Sequence, residues 1–184
     1  MRFASLGSGS RGNSTLVDSG KTSLMIDCGF SRREVERRLS DLDFLAERLD
    51  AILVTHEHSD HIYGVVSLAE KFDLAVYATH GTVRASSLSS VSRLVRFDAG
   101  EQFLVGDILV QSVSVPHDSL EACQYCLSFE GATLGVLTDL GFVTKHVEEV
   151  FKYCDSLILE FNHDHNLLQN GPYPAKLKNR ISGE

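Results

Sequence analysis

The chain has 184 residues, of which 43% are hydrophobic and 23% are charged, and its formal net charge is −8. This is the composition of an ordinary globular protein, and no apolar run approaches the roughly 18 residues that a membrane-spanning helix needs. The acidic balance argues against nonspecific adhesion to nucleic acid, although it does not exclude a local positive site. We therefore expect a single domain over residues 1–184 and no membrane association.

Short apolar runs separated by glycine and aspartate breaks alternate with a few helical patterns along the chain. Strands are predicted at residues 2–6, 14–18, 22–27, 50–55, 74–79, 93–97, 102–105, 107–115, 124–130, 132–139 and 155–161. Helices are predicted at residues 31–39, 62–72, 80–90 and 143–153, the first with a capping box formed by Ser31 and Glu34. Many strands with interspersed helices predict two sheets covered by helices, an α/β layered domain.

The cysteines and the N-terminus indicate the compartment. Cys123 and Cys126 form a C-x-x-C pair, but no second pair exists and no helix start follows. We interpret them as strand residues that face opposite sides, rather than as a redox pair or half of a zinc site. The N-terminus "MRFASLGSGS" has no long apolar stretch, so we expect no signal peptide. Four thiols without an export signal predict the reducing cytoplasm.

Three of the chain's eight histidines lie in "ILVTHEHSDHIYG", residues 52–64. His56 and His58 directly follow a buried strand, and residues i and i+2 of an extended chain point the same way. Their imidazoles therefore converge, while Asp60 and His61 follow where the chain turns into a helix. Mixed imidazole and carboxylate ligands suit zinc, manganese or iron. The segment predicts a metal site at the carboxyl end of the strand.

The segment "THEHSDH" at residues 55–61 resembles the H-x-H-x-D-H signature of the metallo-β-lactamase superfamily. Other segments follow in that superfamily's order, namely "LMIDCG" at 24–29, "SVPHD" at 114–118 and "VLTDLG" at 136–141. Two further segments, "LGSGSRGNSTLV" at 6–17 and "EFNHD" at 160–164, resemble the YycJ/WalJ/VicX-like branch of this superfamily. Members of that branch are regarded as DNA exonucleases.

The resemblance implies a four-layer αββα sandwich that binds two divalent metal ions, zinc or manganese, with iron as a further option. It assigns one metal to His56, His58 and His117, the other to Asp60 and His61, and a bridging position to Asp139. Asp60 and Asp139 are then also expected to orient the attacking hydroxide. His117 and Asp139 each end an apolar strand, so both can reach the same rim.

The chain departs from the superfamily in one respect. The superfamily places a final histidine on the second metal, in a Gly-His-Leu-Ser-like stretch, whereas this sequence ends at "RISGE" without it. We therefore expect a fold that is truncated at its C-terminus, and the occupancy of the second metal is left open. His163 matches a late histidine of the branch and is expected on the substrate side or as a support for a metal ligand, rather than as a replacement ligand.

Three further features of the sequence each allow two interpretations. The loop "GSGSRGNS" is either a tight hairpin turn or a phosphate-contacting loop that uses Arg11 and Asn13. The arginines of the helix at 31–39 predict a solvated face offset by glutamates, or a grip on nucleic acid. Asp27 is either a turn former at the end of a strand or a support for a metal ligand.

The leading functional prediction is a metal-dependent phosphodiesterase, namely a cytoplasmic DNA exonuclease that uses a metal-bound hydroxide. The first alternative is a small-molecule hydrolase that opens a thioester, lactone or β-lactam, because one fold serves many substrates. An RNA-processing nuclease would need RNA-specific contacts, which the sequence does not display. A catalytically weak metal-binding module is the last alternative, since the final histidine is missing. The metal, the digestion polarity and the oligomeric state do not follow from the sequence.

Overall fold

The computed structural model describes residues 1–160, 165–175 and 178. Its strands are β1 (Arg2–Gly7), β2 (Ser14–Asp18), β3 (Ser23–Ile26), β4 (Ala51–Leu53), β5 (Ala75–Thr79), β6 (Leu94–Phe97), β7 (Gln102–Val105), β8 (Ile108–Ser114), β9 (Cys123–Phe129), β10 (Ala132–Leu137) and β11 (Ser156–Leu159). Its helices are α1 (Arg32–Ser40), α2 (Ser59–Ile62), α3 (Val65–Phe72), α4 (His80–Arg84), α5 (Lys145–Phe151) and α6 (His165–Asn170), with short 3₁₀ turns at Ala46–Arg48 and Ser87–Ser90.

The strands form two sheets. The first runs in the order β1-β2-β3-β4-β5-β6, with antiparallel pairing from β1 to β3 and parallel pairing from β3 to β6. The second runs in the order β11-β10-β9-β8-β7, and only its β10–β11 pair is parallel. Since β3 and β4 are parallel neighbours, the residues that follow them emerge at one edge of the first sheet.

Three apolar clusters separate four layers. One face of the first sheet packs against α1 and α3, as in Met25, Ile52, Leu39 and Leu68. The opposite faces of the two sheets pack together through residues such as Leu24, Leu53, Val110 and Leu127. The outer face of the second sheet packs against α5 through Cys126, Val147 and Phe151. The expected αββα sandwich is confirmed, because each sheet buries alternate residues on its two faces.

The two cysteines of the C-x-x-C pair lie on opposite faces of β9, as expected. Cys123 belongs to the cluster between the sheets, and Cys126 to the cluster under α5. Burial raises the pKa of the Cys123 thiol to about 12, so this thiol is inert at neutral pH. In the part of the chain that the structure describes, no helix is both long and apolar enough to cross a membrane.

The charged side chains of helix α1 form ion pairs along the helix. The hydroxyl of Ser31 accepts a hydrogen bond from the backbone N–H of Glu34, so the predicted cap is confirmed. The carboxylate of Glu34 does not return to the cap; it pairs with Arg37 and Arg38, which lower its pKa to about 2. Arg32 pairs with a glutamate one turn on. These pairs fit the solvated face that was expected of this helix.

The helix predicted over residues 62–72 is split in two. The α2 helix begins earlier, at Ser59, and the break before α3 falls at Gly64. There the N–H of Gly64 donates to the carbonyl of Cys28, and a Cβ would lie 2.1 Å from the carbonyl oxygen of Phe30. The chain needs glycine at this position because two backbones meet, and that contact fixes α2 against the segment after β3.

Candidate metal centre

Three imidazoles converge at the carboxyl end of β4. The Nε2 atom of His56 lies 3.0 Å from Nδ1 of His58. The Nε2 atom of His117, from the segment after β8, lies 3.2 Å from the same Nδ1. Two tetrahedral zinc ligands at about 2.0–2.1 Å from the metal lie about 3.3 Å apart, so the spacing of these nitrogens suits one shared cation.

Hydrogen bonds on the far side of the rings leave these nitrogens free to bind. Nδ1 of His56 lies 2.9 Å from the hydroxyl of Thr55, which itself donates to Oδ2 of Asp27. Nε2 of His58 lies 3.1 Å from the carbonyl of Asp118. Since a neutral imidazole carries one proton, donation by these atoms directs the lone pairs of the converging nitrogens inward.

The loop that carries His117 is attached to the β4 loop. The backbone N–H of Leu120 donates to Oε1 of Glu57 at 2.6 Å. The N–H of Gly141, from the loop after β10, donates to the carbonyl of Pro116 at 2.9 Å. These bonds bring three loops from distant parts of the chain to one rim.

A second group of donor atoms adjoins the first. Nε2 of His61 lies 2.8 Å from Oδ2 of Asp139 and 3.7 Å from Oδ2 of Asp60. The rings of His61 and His56 have their centroids 4.1 Å apart. His56, His58 and His117 form one set of ligand atoms, and His56, His61 and Asp139 form another, each within 4.8 Å. The two sets meet at His56, so the site has the outline of two neighbouring cation positions.

The backbone conformation of Asp139 and the hydrogen bonds around it fix the position of its side chain. It follows β10 with a φ of 47°, a conformation that aspartate adopts more readily than most residues. Its N–H donates to Oε2 of Glu160 at 3.0 Å, and the buried Gln124 bonds both the N–H and the carbonyl of the preceding Thr138. Oδ2 of Asp139 is buried and accepts no hydrogen bond of good geometry from the described residues.

The protonation of the site follows from burial and charge. Burial, with the neighbouring imidazoles of His61 and His117, lowers the pKa of His56 to about 2. Burial also lowers the pKa of His117. Burial opposes a proton on His61, but the carboxylates of Asp27 and Asp139 outweigh it and raise the pKa of His61 to about 10. Burial alone would raise the pKa of Asp139, but the adjacent His61 outweighs burial and lowers the pKa of Asp139.

These donors fit a divalent cation. A buried carboxylate oxygen without a hydrogen bond, beside imidazole nitrogens whose far sides are already bonded, is the arrangement that a metal ion completes. Imidazole-rich donors with a carboxylate suit zinc, manganese or iron rather than calcium. His56, His58 and His117 are the residues that fit one ion. His56, His61 and Asp139 form the second such group, and Asp60 adjoins it with Oδ2 3.7 Å from Nε2 of His61.

The remaining predicted site residues have different settings. Arg11 is exposed in the loop between β1 and β2, where Gly9 and Gly12 take positive φ, as the hairpin interpretation requires. Asn13 is buried, with only 5% of its surface exposed, and its side chain contacts Asp60 and His61. His163 lies outside the described residues.

Glu57 and Glu160 contribute to the site without having been singled out from the sequence. Glu57 faces away from its histidine neighbours, as alternation along an extended chain dictates, and bonds the 117–121 loop instead. Burial and the charge of Asp139 raise the pKa of Glu160, against the hydrogen bond from the Asp139 N–H. Glu160 lies in the "EFNHD" segment, and the resemblance of that segment to the branch is the sequence feature that could have identified it. Asp27 contacts His61, as the interpretation of a supporting residue expects. Its φ of 58° is also that of a turn, so the two interpretations are compatible.

Comparisons with known proteins agree with this geometry. The family profile described as "Beta-lactamase superfamily domain" matches residues 22–172. Exodeoxyribonuclease WalJ of Streptococcus pneumoniae serotype 2 is 35% identical over 98% of this chain and 69% of its own length. Exodeoxyribonuclease YycJ of Bacillus anthracis is 35% identical over 98% of this chain and 70% of its own. A solved B3 metallo-β-lactamase with an active-site glutamic acid superposes with a TM-score of 0.67 at 17% identity, covering 98% of this chain and 83% of that one.

The two-sheet sandwich with paired donor sets at its rim defines a metal-dependent hydrolase of the metallo-β-lactamase fold. The family profile and two relatives that match 98% of this chain place it within one family. The chain belongs to the β-lactamase superfamily domain family, and its resemblance to the WalJ and YycJ proteins covers almost its entire length.

Proposed function

We propose that the chain is a metal-dependent DNA exonuclease. The observation that carries this proposal is the convergence of two donor sets that share His56 at an open rim. Two neighbouring cations are the arrangement that suits in-line displacement at a phosphodiester. The names of the two 35%-identical relatives support DNA rather than another phosphodiester as the substrate.

The ligand assignments belong to the same proposal. His56, His58 and His117 would hold one cation, Asp60 and His61 would hold the other, and Asp139 would serve both. Bound there, zinc or manganese supplies Lewis-acid activation of water and neutralises negative charge on the phosphate.

The chain's own groups then have distinct tasks. The carboxylates of Asp60 and Asp139 accept hydrogen bonds from the nucleophilic water and orient it, and the lowered pKa of Asp139 keeps this group ionised. Glu160, with its raised pKa, holds a proton close to Asp139 more readily than an ordinary glutamate does. Arg11, at the exposed loop tip, contacts the DNA backbone, and His163 contacts the substrate.

The openness of the site favours a polymer over a small enclosed ligand. The side chains of Asp60 and Asp139 are 28% and 22% exposed, whereas His56 and His61 are fully buried, so the aspartates lie on the solvent side of the site. A small-molecule hydrolase is expected to enclose its substrate in an apolar pocket instead. We also infer a cytoplasmic location, which the four free cysteines support.

The test is digestion of 5′-labelled duplex DNA by the metal-free chain, reloaded separately with Mn²⁺ and Zn²⁺. We expect stepwise shortening from an end that a chelator abolishes. Asp139→Asn retains the left-handed backbone, because asparagine adopts that conformation readily, and should lower cleavage about 100-fold or more. His146→Ala removes an exposed histidine of α5 outside the site and should leave cleavage unchanged.

The same preparations should be offered a thioester, a lactone and a β-lactam. Hydrolysis of one of these, with no chelator-sensitive cleavage of DNA, would replace the exonuclease with the small-molecule alternative. A loaded protein that cleaves neither class of substrate would be the metal-binding module. Equal cleavage of RNA and DNA would reject the DNA preference.

A further inference from the structure

The side chain of Asn13 is built into the site although it belongs to neither donor set. Asn13 follows the glycine loop at the start of β2, and only 5% of its surface is exposed. Its backbone N–H donates to the carbonyl of Asp60 at 2.7 Å, and its carbonyl accepts from the N–H of Gly29 at 2.9 Å. The backbone of Asn13 is thus attached to the segment that carries the second donor set.

The orientation of its amide is determined by the loop. Oδ1 of Asn13 accepts the backbone N–H of Gly9 at 2.8 Å. A rotated amide would place Nδ2 against that N–H, donor against donor, so the alternative orientation is unfavourable. The Nδ2 group therefore points away from the Gly9 N–H and towards Asp60 and His61.

The amide nitrogen borders one donor atom of the second set and the adjoining carboxylate of Asp60. It lies 3.3 Å from Oδ2 of Asp60 and 3.0 Å from Nε2 of His61. Among the described residues it is the one hydrogen-bond donor to the Asp60 carboxylate, whose side chain is 28% exposed. Asn13 has no such contact with His58 or His117 in the described part of the chain. Its influence is confined to one side of the site.

We propose that Asn13 is a positioning residue for the second cation, since its amide sets the rotamer of Asp60 and ties the glycine loop to that position. This inference rests on the proposed two-cation site. It gives Asn13 a role other than direct contact with the substrate. Partners that orient a metal ligand contribute about 10–100-fold to metal affinity, so the effect is measurable without turnover.

The experiment titrates the metal-free full chain with Zn²⁺ and with Mn²⁺ by calorimetry and resolves the two equivalents. In Asn13→Ala we expect the second equivalent to weaken about 10–100-fold while the first stays within about twofold of the wild type. Ser14→Ala is the matched control. Its buried hydroxyl donates to the carbonyl of Asp27, so the variant loses a neighbouring buried hydrogen bond without touching Asp60 or His61. Both equivalents should be unchanged in this control.

A second variant separates positioning from loop folding. Asn13→Asp keeps an oxygen for the Gly9 N–H, and therefore keeps the loop, but it replaces the donor to Asp60 with a second negative charge. Because affinity rises with the number of charged ligands at a cation, we expect its second equivalent to tighten while that of Asn13→Ala weakens. The aspartate variant is also compared with the wild type directly, and that comparison stands even if the alanine variant does not fold.

The inference is overturned if the aspartate variant binds metal as the wild type does, or if both equivalents weaken together in the alanine variant. Weakening of the same size in Ser14→Ala would overturn it as well. Its failure is distinct from failure of the proposed function. A chain that binds two cations with the expected Asn13 dependence but does not cleave DNA would reject the exonuclease alone.

Discussion

Nδ1 of His61 lies 2.8 Å from Oδ2 of Asp27, and both groups are buried. This contact joins the residue that follows β3 to the helix that follows β4. The other oxygen of Asp27 accepts the backbone N–H of Thr55 at 2.8 Å. One carboxylate therefore orients the imidazole of the second donor set and anchors the start of the histidine segment.

Replacing Asp27 with asparagine should weaken the second cation selectively. Asparagine adopts the left-handed conformation at this position and its one oxygen can still accept the Thr55 N–H, so the change removes both the charge and the acceptor that face Nδ1 of His61. We expect the second metal equivalent to lose about 10–100-fold in affinity. Calorimetric titration checks this, and an equal loss at the first equivalent would contradict the assignment. The alanine variant loses the hydrogen bonds as well and should be destabilised by about 2–4 kcal/mol.

Binding of the second cation should depend on pH more strongly than binding of the first. In the metal-free protein the pKa of His61 is raised to about 10, so His61 is protonated at neutral pH and must lose that proton to bind. Affinity should therefore rise about tenfold per pH unit up to about pH 10. His56, whose pKa is lowered to about 2, adds no dependence near neutrality. Calorimetry in buffers of different ionisation enthalpy should detect about one proton released with the second equivalent.

The same ionisation predicts how the stability of the metal-free protein varies with pH. A pKa raised from 6.5 to about 10 means that folding favours the protonated imidazole of His61. The resulting stabilisation is complete below pH 6.5 and is lost as the pH rises through 10. Denaturant unfolding across this range should show the loss in the wild type. The loss should be smaller in Asp27→Asn, and an unchanged dependence there would contradict the cause.

Removing the carboxylate of Glu57 should affect the first cation. Glu57→Ala frees the N–H of Leu120, and with it the loop that carries His117. We expect the first metal equivalent to weaken about tenfold. Glu57→Gln retains an oxygen for the Leu120 N–H and should bind as the wild type does. A glutamine variant as weak as the alanine variant would show that the charge of Glu57, rather than the loop anchor, matters.

Tyr125 provides a test of stability away from the metals. Its hydroxyl donates to the carbonyl of Val54 at 2.6 Å in the layer between the sheets. Tyr125→Phe removes that hydrogen bond and should lower the free energy of unfolding by about 1–2 kcal/mol. The backbone N–H of Cys123 still donates to the carbonyl of Thr55, next to His56. Metal binding should therefore not change. Thermal unfolding and metal titration of the same sample measure the two quantities separately.

Local signals in the sequence were sufficient for the elements and for part of the site. Alternating apolar residues predicted the strands, and the position of His56 and His58 after a buried strand predicted that their rings converge, which the 3.0 Å contact shows. The helix at residues 62–72 was less well predicted, because its break at Gly64 depends on a contact with the segment after β3. Such a contact leaves no periodic trace in either segment.

The sequence by itself determined that two sheets are covered by helices, since the apolar pattern of each element shows which of its faces is buried, while the αββα order of the layers was implied by the family resemblance. It also named, through family resemblance, the side chains that meet at the rim. Only the tertiary structure decided which groups support them. The bonds of Asp27 to His61, of Asn13 to Asp60 and of Glu57 to Leu120 join residues 34, 47 and 63 positions apart. The chain has no local preference for such pairs, because the first two form only when strands pair within the first sheet and the third only when the two sheets pack together.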